Sequence, residues 1–217
     1  MKKLLGRVVA GASLAVVVAG VPVAVHAATL NLKQQINAAS SPGTYISTDC
    51  THAATDNGTG YTYTMSPKNT ANVKQTSTGR IGGDGTSNCI VVDNAGSSAV
   101  SWTLAYAPSG NGEWTDGAKK YPAKGANDDA GQLTVNAAGG QLVKLSGNDT
   151  GVTKGTSATF SPTVQSATLM SWTGTAGQFF KGKLHSVPVS QTIPASTPTG
   201  SYTLITKIGR ASCRERV

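Results

Sequence analysis

The chain has 217 residues, with 18 Lys and Arg against 10 Asp and Glu and a formal charge of +8. A charge of that size would suggest nucleic acid as a partner, but it sits mostly at the two ends. Leaving out Lys2, Lys3 and Arg7 at one end, and Arg210, Arg214, Arg216 and Glu215 at the other, 12 cations face 9 anions, a net +3. Only Lys119, Lys120 and Lys124 then lie close together, so charge gives no ground for a nucleic-acid partner.

Residues 1–27 read as a secretory leader. Met1 to Arg7 is basic, Val8 to Ala19 is apolar, and Pro22 ends the run. The run is shorter than the ~20 residues that a bilayer helix needs. Val25-His26-Ala27 puts small residues at −3 and −1 of a cleavage point after Ala27. With neither a nearby Cys nor an Arg-Arg pair, the segment reads as an ordinary leader, with no membrane insertion after cleavage.

The segment 28–206 is rich in Gly, Thr, Ser, Ala, Asn and Val, and Glu113 is its single Glu. Plentiful β-branched residues and few strong helix formers predict an all-β domain. Leu30 to Ala39 fits a first strand or a short helix. Gly60 to Met65 alternates, with Tyr61 and Tyr63 on one face. Cys89-Ile90-Val91-Val92 is a buried run closed by a turn at Asp93-Asn94-Ala95-Gly96. Val100, Trp102, Leu104 and Tyr106 share one face of a strand over 100–107, and Trp102 and Leu104 are expected in the core. Ser109 to Gly117 reads as a Gly-rich loop. Asn136 to Gly140 reads as a hairpin connection between strands at 132–135 and 141–145. Val164, Ser166, Thr168, Met170 and Trp172 are predicted to share a face, as are Val187, Val189, Gln191 and Ile193. Pro194 and Pro198 then stop the strand. A last strand starts at Gly200. From Ile208 to Val217 the chain is what one frame of a common sequencing adapter encodes, with Lys207 spanning the junction. The expectation is one β-sandwich domain over 28–206, its final strand cut off near Thr206, and an unnatural, poorly packed tail over 207–217.

Cys213 falls in that tail, which leaves Cys50 and Cys89 as an even pair in an exported chain. A disulfide between them would close a loop of about 40 residues and contribute roughly 4 kcal/mol. Two free thiols or reduced metal ligands are the alternatives, and no His pair stands near them to complete a metal site.

Gln191-Thr192-Ile193-Pro194-Ala195-Ser196-Thr197-Pro198-Thr199-Gly200-Ser201-Tyr202-Thr203 resembles the ending of several secreted bacterial β-sandwich families. WxL surface domains and spore-coat-U-like domains are among them. Trp102-Thr103-Leu104 is similar to the first Trp-x-Leu element of WxL domains. A second Trp-x-Leu belongs in the final strand of that family, and none is present through Thr206. The resemblance covers about half of the mature segment. It implies an immunoglobulin-like antiparallel sandwich, with Trp102, Leu104, Pro194, Gly200 and Tyr202 as motif residues. It also implies non-covalent attachment to the cell wall, with no chemistry.

Chemistry leaves few other marks. There is no Gly-x-Ser-x-Gly elbow, His-Glu-x-x-His or phosphate-binding loop. His52 and His185 are the histidines outside the leader; a His185 base is weighed against a strand-surface His, which is preferred. Asp84 to Asn88 and Asn127-Asp128-Asp129 could offer oxygens to Ca²⁺, but Asx-rich turns use the same residues. Trp114, with Tyr121 nearby, is a candidate sugar-stacking contact, set against an aromatic that anchors a turn. No cofactor or metal is expected. The resulting expectation is a secreted, non-enzymatic surface protein that binds a cell-wall polymer, or alternatively a structural subunit of a fibre or matrix built from copies of itself. Sequencing the gene through its 3′ end is expected to replace the codons for Ile208 to Val217; finding them in genomic DNA would show the tail to be native.

Overall fold

The computed structural model describes residues 29–38, 44–51, 61–69, 73–93, 101–174 and 178–213. The leader, His52 and the turn at 94–96 therefore lie outside the described residues. The strands are β1 (Thr29–Ala38), β2 (Thr44–Ser47), β3 (Tyr61–Thr64), β4 (Lys68–Asn69), β5 (Gln75–Ile81) and β6 (Cys89–Asp93). They continue with β7 (Ser101–Pro108), β8 (Glu113–Asp116), β9 (Lys119–Pro122), β10 (Leu133–Asn136), β11 (Gln141–Gly147) and β12 (Val152–Lys154). Then come β13 (Ser157–Thr159), β14 (Ala167–Thr173), β15 (Phe180–His185), β16 (Val187–Ile193) and β17 (Gly200–Cys213).

The fold is all-β and sandwich-like. The largest sheet runs β12-β14-β7-β17-β1-β3, with β4 also on β1 and the β8–β9 hairpin on β17. A second sheet runs β13-β10-β16-β5 and a third β11-β15-β6-β2. The pairs are antiparallel except for β1 and β17, which run parallel from Leu30↔Gly200 to Ala38↔Ile208. The ambiguous first segment is thus a strand.

The second and third sheets join at one corner. Three neighbouring strands of the second sheet, β10, β16 and β5, continue into β11, β15 and β6 of the third. The bends are Ala137–Gly140, Ser186 and 82–88, so Asn136 to Gly140 is a corner and not a hairpin turn. Strands that switch sheets need such bends. Ser186 makes its turn at φ 54°, and its N–H donates to Gly83 O at 3.0 Å. Gly83 is required there, because a Cβ would stand 1.8 Å from Ser87 O.

All three sheets meet in one core. On β7, Trp102, Leu104 and Tyr106 are buried and alternate with half-buried residues. Trp102 pairs across the ladder with Trp172 at 6.3 Å between ring centroids, and lies 6.2 Å from Phe180 of the third sheet. Tyr106 packs on Phe160 and donates to Gln34 Oε1 of β1 at 2.7 Å. On β6 every residue from Cys89 to Val92 is buried, because both faces are covered. Ile90 and Val92 enter the main core, while Cys89 and Val91 join Cys50 in a second cluster with Leu145 against it. Cys50 and Cys89 form a disulfide, with Cα atoms 5.0 Å apart.

Three further expectations need correction. The final strand does not stop near Thr206: Thr206 to Cys213 pair with Pro108 to Ser101, and Ile208 is fully buried. Backbone pairing does not depend on side chains, and Ile208 keeps the inward phase of Tyr202, Leu204 and Thr206. Ser109 to Gly117 is not all loop, since Glu113 to Asp116 form β8 and pair with β9. Finally, the face predicted for 164–172 breaks. A register shift between Thr168 and Met170 buries both Leu169 and Met170 and leaves Val164, Ser166 and Thr168 exposed.

Trp102 Nε1 is buried without an acceptor among the described residues. Trp102→Ala is expected to cost about 3–5 kcal/mol of unfolding free energy. Trp102→Phe should cost clearly less, because it keeps ring contact and removes the unsatisfied N–H. Urea titrations of the two variants against the parent provide the comparison.

Candidate functional site

The aromatic pair weighed for sugar stacking, against the anchoring of a turn, is not available to a ligand. Trp114 and Tyr121 are opposite one another in the β8–β9 hairpin and stack at 6.0 Å with a 9° interplanar angle. Trp114 is 0 % exposed and Tyr121 is 6 % exposed. The hairpin reaches β17 through Thr115↔Thr203, which turns both rings inward. Trp114 Nε1 donates to the buried Gln191 Oε1 at 2.8 Å, and Tyr121 lies edge-on to Tyr202 at 5.2 Å. Burial raises the Tyr121 phenol far above its ordinary range. The pair anchors a hairpin and offers no face to a ligand.

The motif residues are also architectural. Tyr202 donates its O–H to Pro198 O at 2.9 Å, and Thr197 Oγ1 donates to Pro194 O at 2.7 Å. The Tyr202 bond, to backbone four residues upstream, ties the start of β17 to the turn before it and is similar to the tyrosine corner known from other sandwiches. At Gly200 a Cβ would meet Asp116 Oδ2 at 2.0 Å. Trp102 and Leu104 lie in the core, as expected.

His185 closes β15 at the sheet corner. Its Nδ1 is 3.0 Å from Ser186 Oγ, and its ring covers Gly85, while Lys183 Nζ donates to Gly85 O at 2.6 Å. Partial burial lowers its pKa, as does Lys183, against an opposing pull from Asp84. The Asp84 carboxylate accepts from Thr86 Oγ1, Thr86 N and Ser87 N at 2.7, 2.8 and 3.1 Å. These donors, the Thr86 hydroxyl foremost, lower its pKa to about 2. Asp128 and Asp129 both pair with Lys74 Nζ, and Asn127 Oδ1 accepts from Ala130 N. Among the described residues these candidate oxygens already serve turns and an ion pair.

The open polar surface is the outer face of the second sheet. Thr76, Thr78 and Arg80 on β5 point away from buried Ser77 and Ile81. Pro188, Ser190 and Thr192 alternate likewise with the buried residues of β16. Thr134 and Asn136 on β10, with Ser157 and Thr159 on β13, complete the face. Strand register aligns Thr159, Thr134, Ser190 and Thr78 in one row across four strands. Neighbours in such a row stand ~4.8 Å apart. Thr134 Oγ1 and Thr159 Oγ1 are hydrogen-bonded at 2.8 Å. A groove of about 600 Å³ runs over Thr134, Ser190 and Thr78 of this row, bordered by Arg80, Asn136, Ser157 and Ser66. A second groove, about 370 Å³, lies on the far side of Arg80 between Tyr61 and Asp84.

Sequence reasoning missed this face. Its signal was present in Thr76-Ser77-Thr78-Gly79-Arg80, which alternates outward polar with small inward residues. With Ile81 as its single large apolar residue, the segment does not show the apolar alternation that marks a strand.

Fold and face together define an all-β, sandwich-like protein with a hydroxyl-lined sheet surface. No family model matches the chain, and no curated protein matches it. Among the described residues, no helix is long and apolar enough to cross a membrane.

The Asp84 turn holds the loop at the sheet corner, and its pKa implies a pH dependence. The folded value lies below the unfolded one, so its stabilisation is complete above about pH 4 and fades as pH falls through about 2. Asp84→Asn should lower Tm near neutral pH, and the gap to the parent should close in acid; thermal melts from neutral pH downward test this.

Proposed function

We propose that this chain is an exported, non-catalytic surface protein that holds a cell-wall polysaccharide on the outer face of the β13-β10-β16-β5 sheet. The carrying observation is the four-strand hydroxyl row Thr159, Thr134, Ser190 and Thr78, of which Thr134, Ser190 and Thr78 line the 600 Å³ groove. Hydroxyls and the Asn136 amide both donate and accept, as the hydroxyls of a sugar do. None of these groups is a general acid or base near neutral pH. A flat sheet face suits an extended polymer better than a small molecule, which favours an enclosed site. The leader-like N-terminus, the Cys50–Cys89 disulfide and the resemblance to WxL domains support an extracellular setting.

The fibre-subunit alternative has one observation in its favour. β1 is held by β17 and by β3 and β4, while the strand that follows it, β2, lies in another sheet. A second copy could supply the same strand without altering any other pair.

Thr78→Val, Thr134→Val and Ser190→Ala in one chain remove the centre of the row while keeping strand-compatible residues. Each exposed hydrogen bond is worth about 0.5–1.5 kcal/mol, so binding to purified wall should fall about tenfold or more. No wall binding by the parent at any salt, with ordered fibres seen by negative-stain microscopy, would transfer the function to subunit assembly through β1.

A further inference from the structure

We propose that the polysaccharide taken by this face carries carboxylates, and that Arg80 selects it; this rests on the polysaccharide reading above. Among the described residues, Arg80 is the one charged side chain lining the 600 Å³ groove. Its guanidinium makes no ion pair or hydrogen bond among the described residues. By contrast Lys74, Lys120, Lys144 and Lys181 each face a carboxylate within 4 Å. An exposed cation left unpaired beside a row of neutral hydroxyls is placed to meet an anion that the ligand brings.

The position selects the kind of anion. Arg80 stands opposite Pro188 in the ladder, one strand step beyond Thr78 and Ser190. A sugar ring seated on the Thr78–Ser190–Thr134 row would therefore present a ring-borne carboxylate to the guanidinium at close range. The planar fork of Arg donates two parallel N–H···O bonds to a carboxylate, as it can to a phosphate, and a Lys ammonium does not; seating of a sugar ring on the hydroxyl row is what favours the ring-borne carboxylate. On the other side of Arg80, Asp84 stays ionised because Thr86 and Ser87 hold its carboxylate. Its charge repels an anionic chain from the Tyr61 groove and directs it along the hydroxyl row.

The test uses the mature chain with its disulfide intact and three immobilised polymers: polygalacturonate, the same polymer with its carboxyls reduced to alcohols, and poly(glycerol phosphate). The parent should bind polygalacturonate about tenfold more tightly than the reduced polymer, with a preference that shrinks as salt rises. Arg80→Gln should abolish the preference while keeping the weaker affinity for the reduced polymer. Arg80→Lys should keep part of the preference. Lys144→Gln should leave it intact, which separates Arg80 from general positive charge. Retained affinity for the reduced polymer shows that Arg80→Gln is folded, and equal Tm values give an independent check. Equal affinity of the parent for the two galactan forms, or tighter binding to the phosphate polymer, overturns the proposal while wall binding stands. Failure of the parent to bind wall or any of the polymers overturns the polysaccharide reading as well.

Discussion

Burial of the inward face of β7 is the constraint on which the rest of the molecule depends. Trp102 meets Trp172 in its own sheet and Phe180 in the third sheet. Two steps along the strand pair, Tyr106 meets Phe160 beside the second sheet and Gln34 on β1. One strand thus touches every layer. Large aromatic side chains each bury ~150–250 Å² and leave little freedom in how the layers sit. With Tyr106 so enclosed, its phenol is pushed far above the ordinary range and remains a neutral donor to Gln34.

The corner between the second and third sheets turns this core into a surface. β16 buries Val187, Val189, Gln191 and Ile193, and the same pleat sends Pro188, Ser190 and Thr192 outward. Trp114 fixes Gln191 from within, so the inner contacts of β16 set the register of its outer hydroxyls. The bends at Ser186, at Ala137–Gly140 and at 82–88 end the polar rows along a single edge. Arg80 stands at that edge, where the hydroxyl groove and the Tyr61 groove meet. The proposed polysaccharide face would rest on register and on a cation without a partner among the described residues.

Some of this was legible in the residues. The alternation at Val187 to Ile193 and at Trp102 to Tyr106 gave the strands and their buried faces, because period-two patterning records burial directly. Of three cysteines, setting Cys213 aside with the tail left the pair that forms the disulfide. Where two faces were covered, as at Cys89 to Val92, the continuous apolar run announced it. The failures have equally local causes. At Thr168 to Met170 a register shift breaks the alternation, and no residue type marks the place. At Asn136 to Gly140 the turn residues of a hairpin also serve a sheet corner, and only the pairing of β10 and β11 with different partners distinguishes them.

The sequence by itself determined the all-β class and the principal buried strand faces, since each is written in composition or period, while the Cys50–Cys89 disulfide was an expectation that the structure bears out. Tertiary structure alone decided that Trp114 and Tyr121 face inward, that β1 lies parallel to β17, and that Thr159, Thr134, Ser190 and Thr78 form a row. The physical reason is that a strand's polar face carries the same local pattern whether it meets open water, a folded-over hairpin or a ligand. Its role emerges when neighbours up to 112 residues apart, as from Thr78 to Ser190, are brought into register.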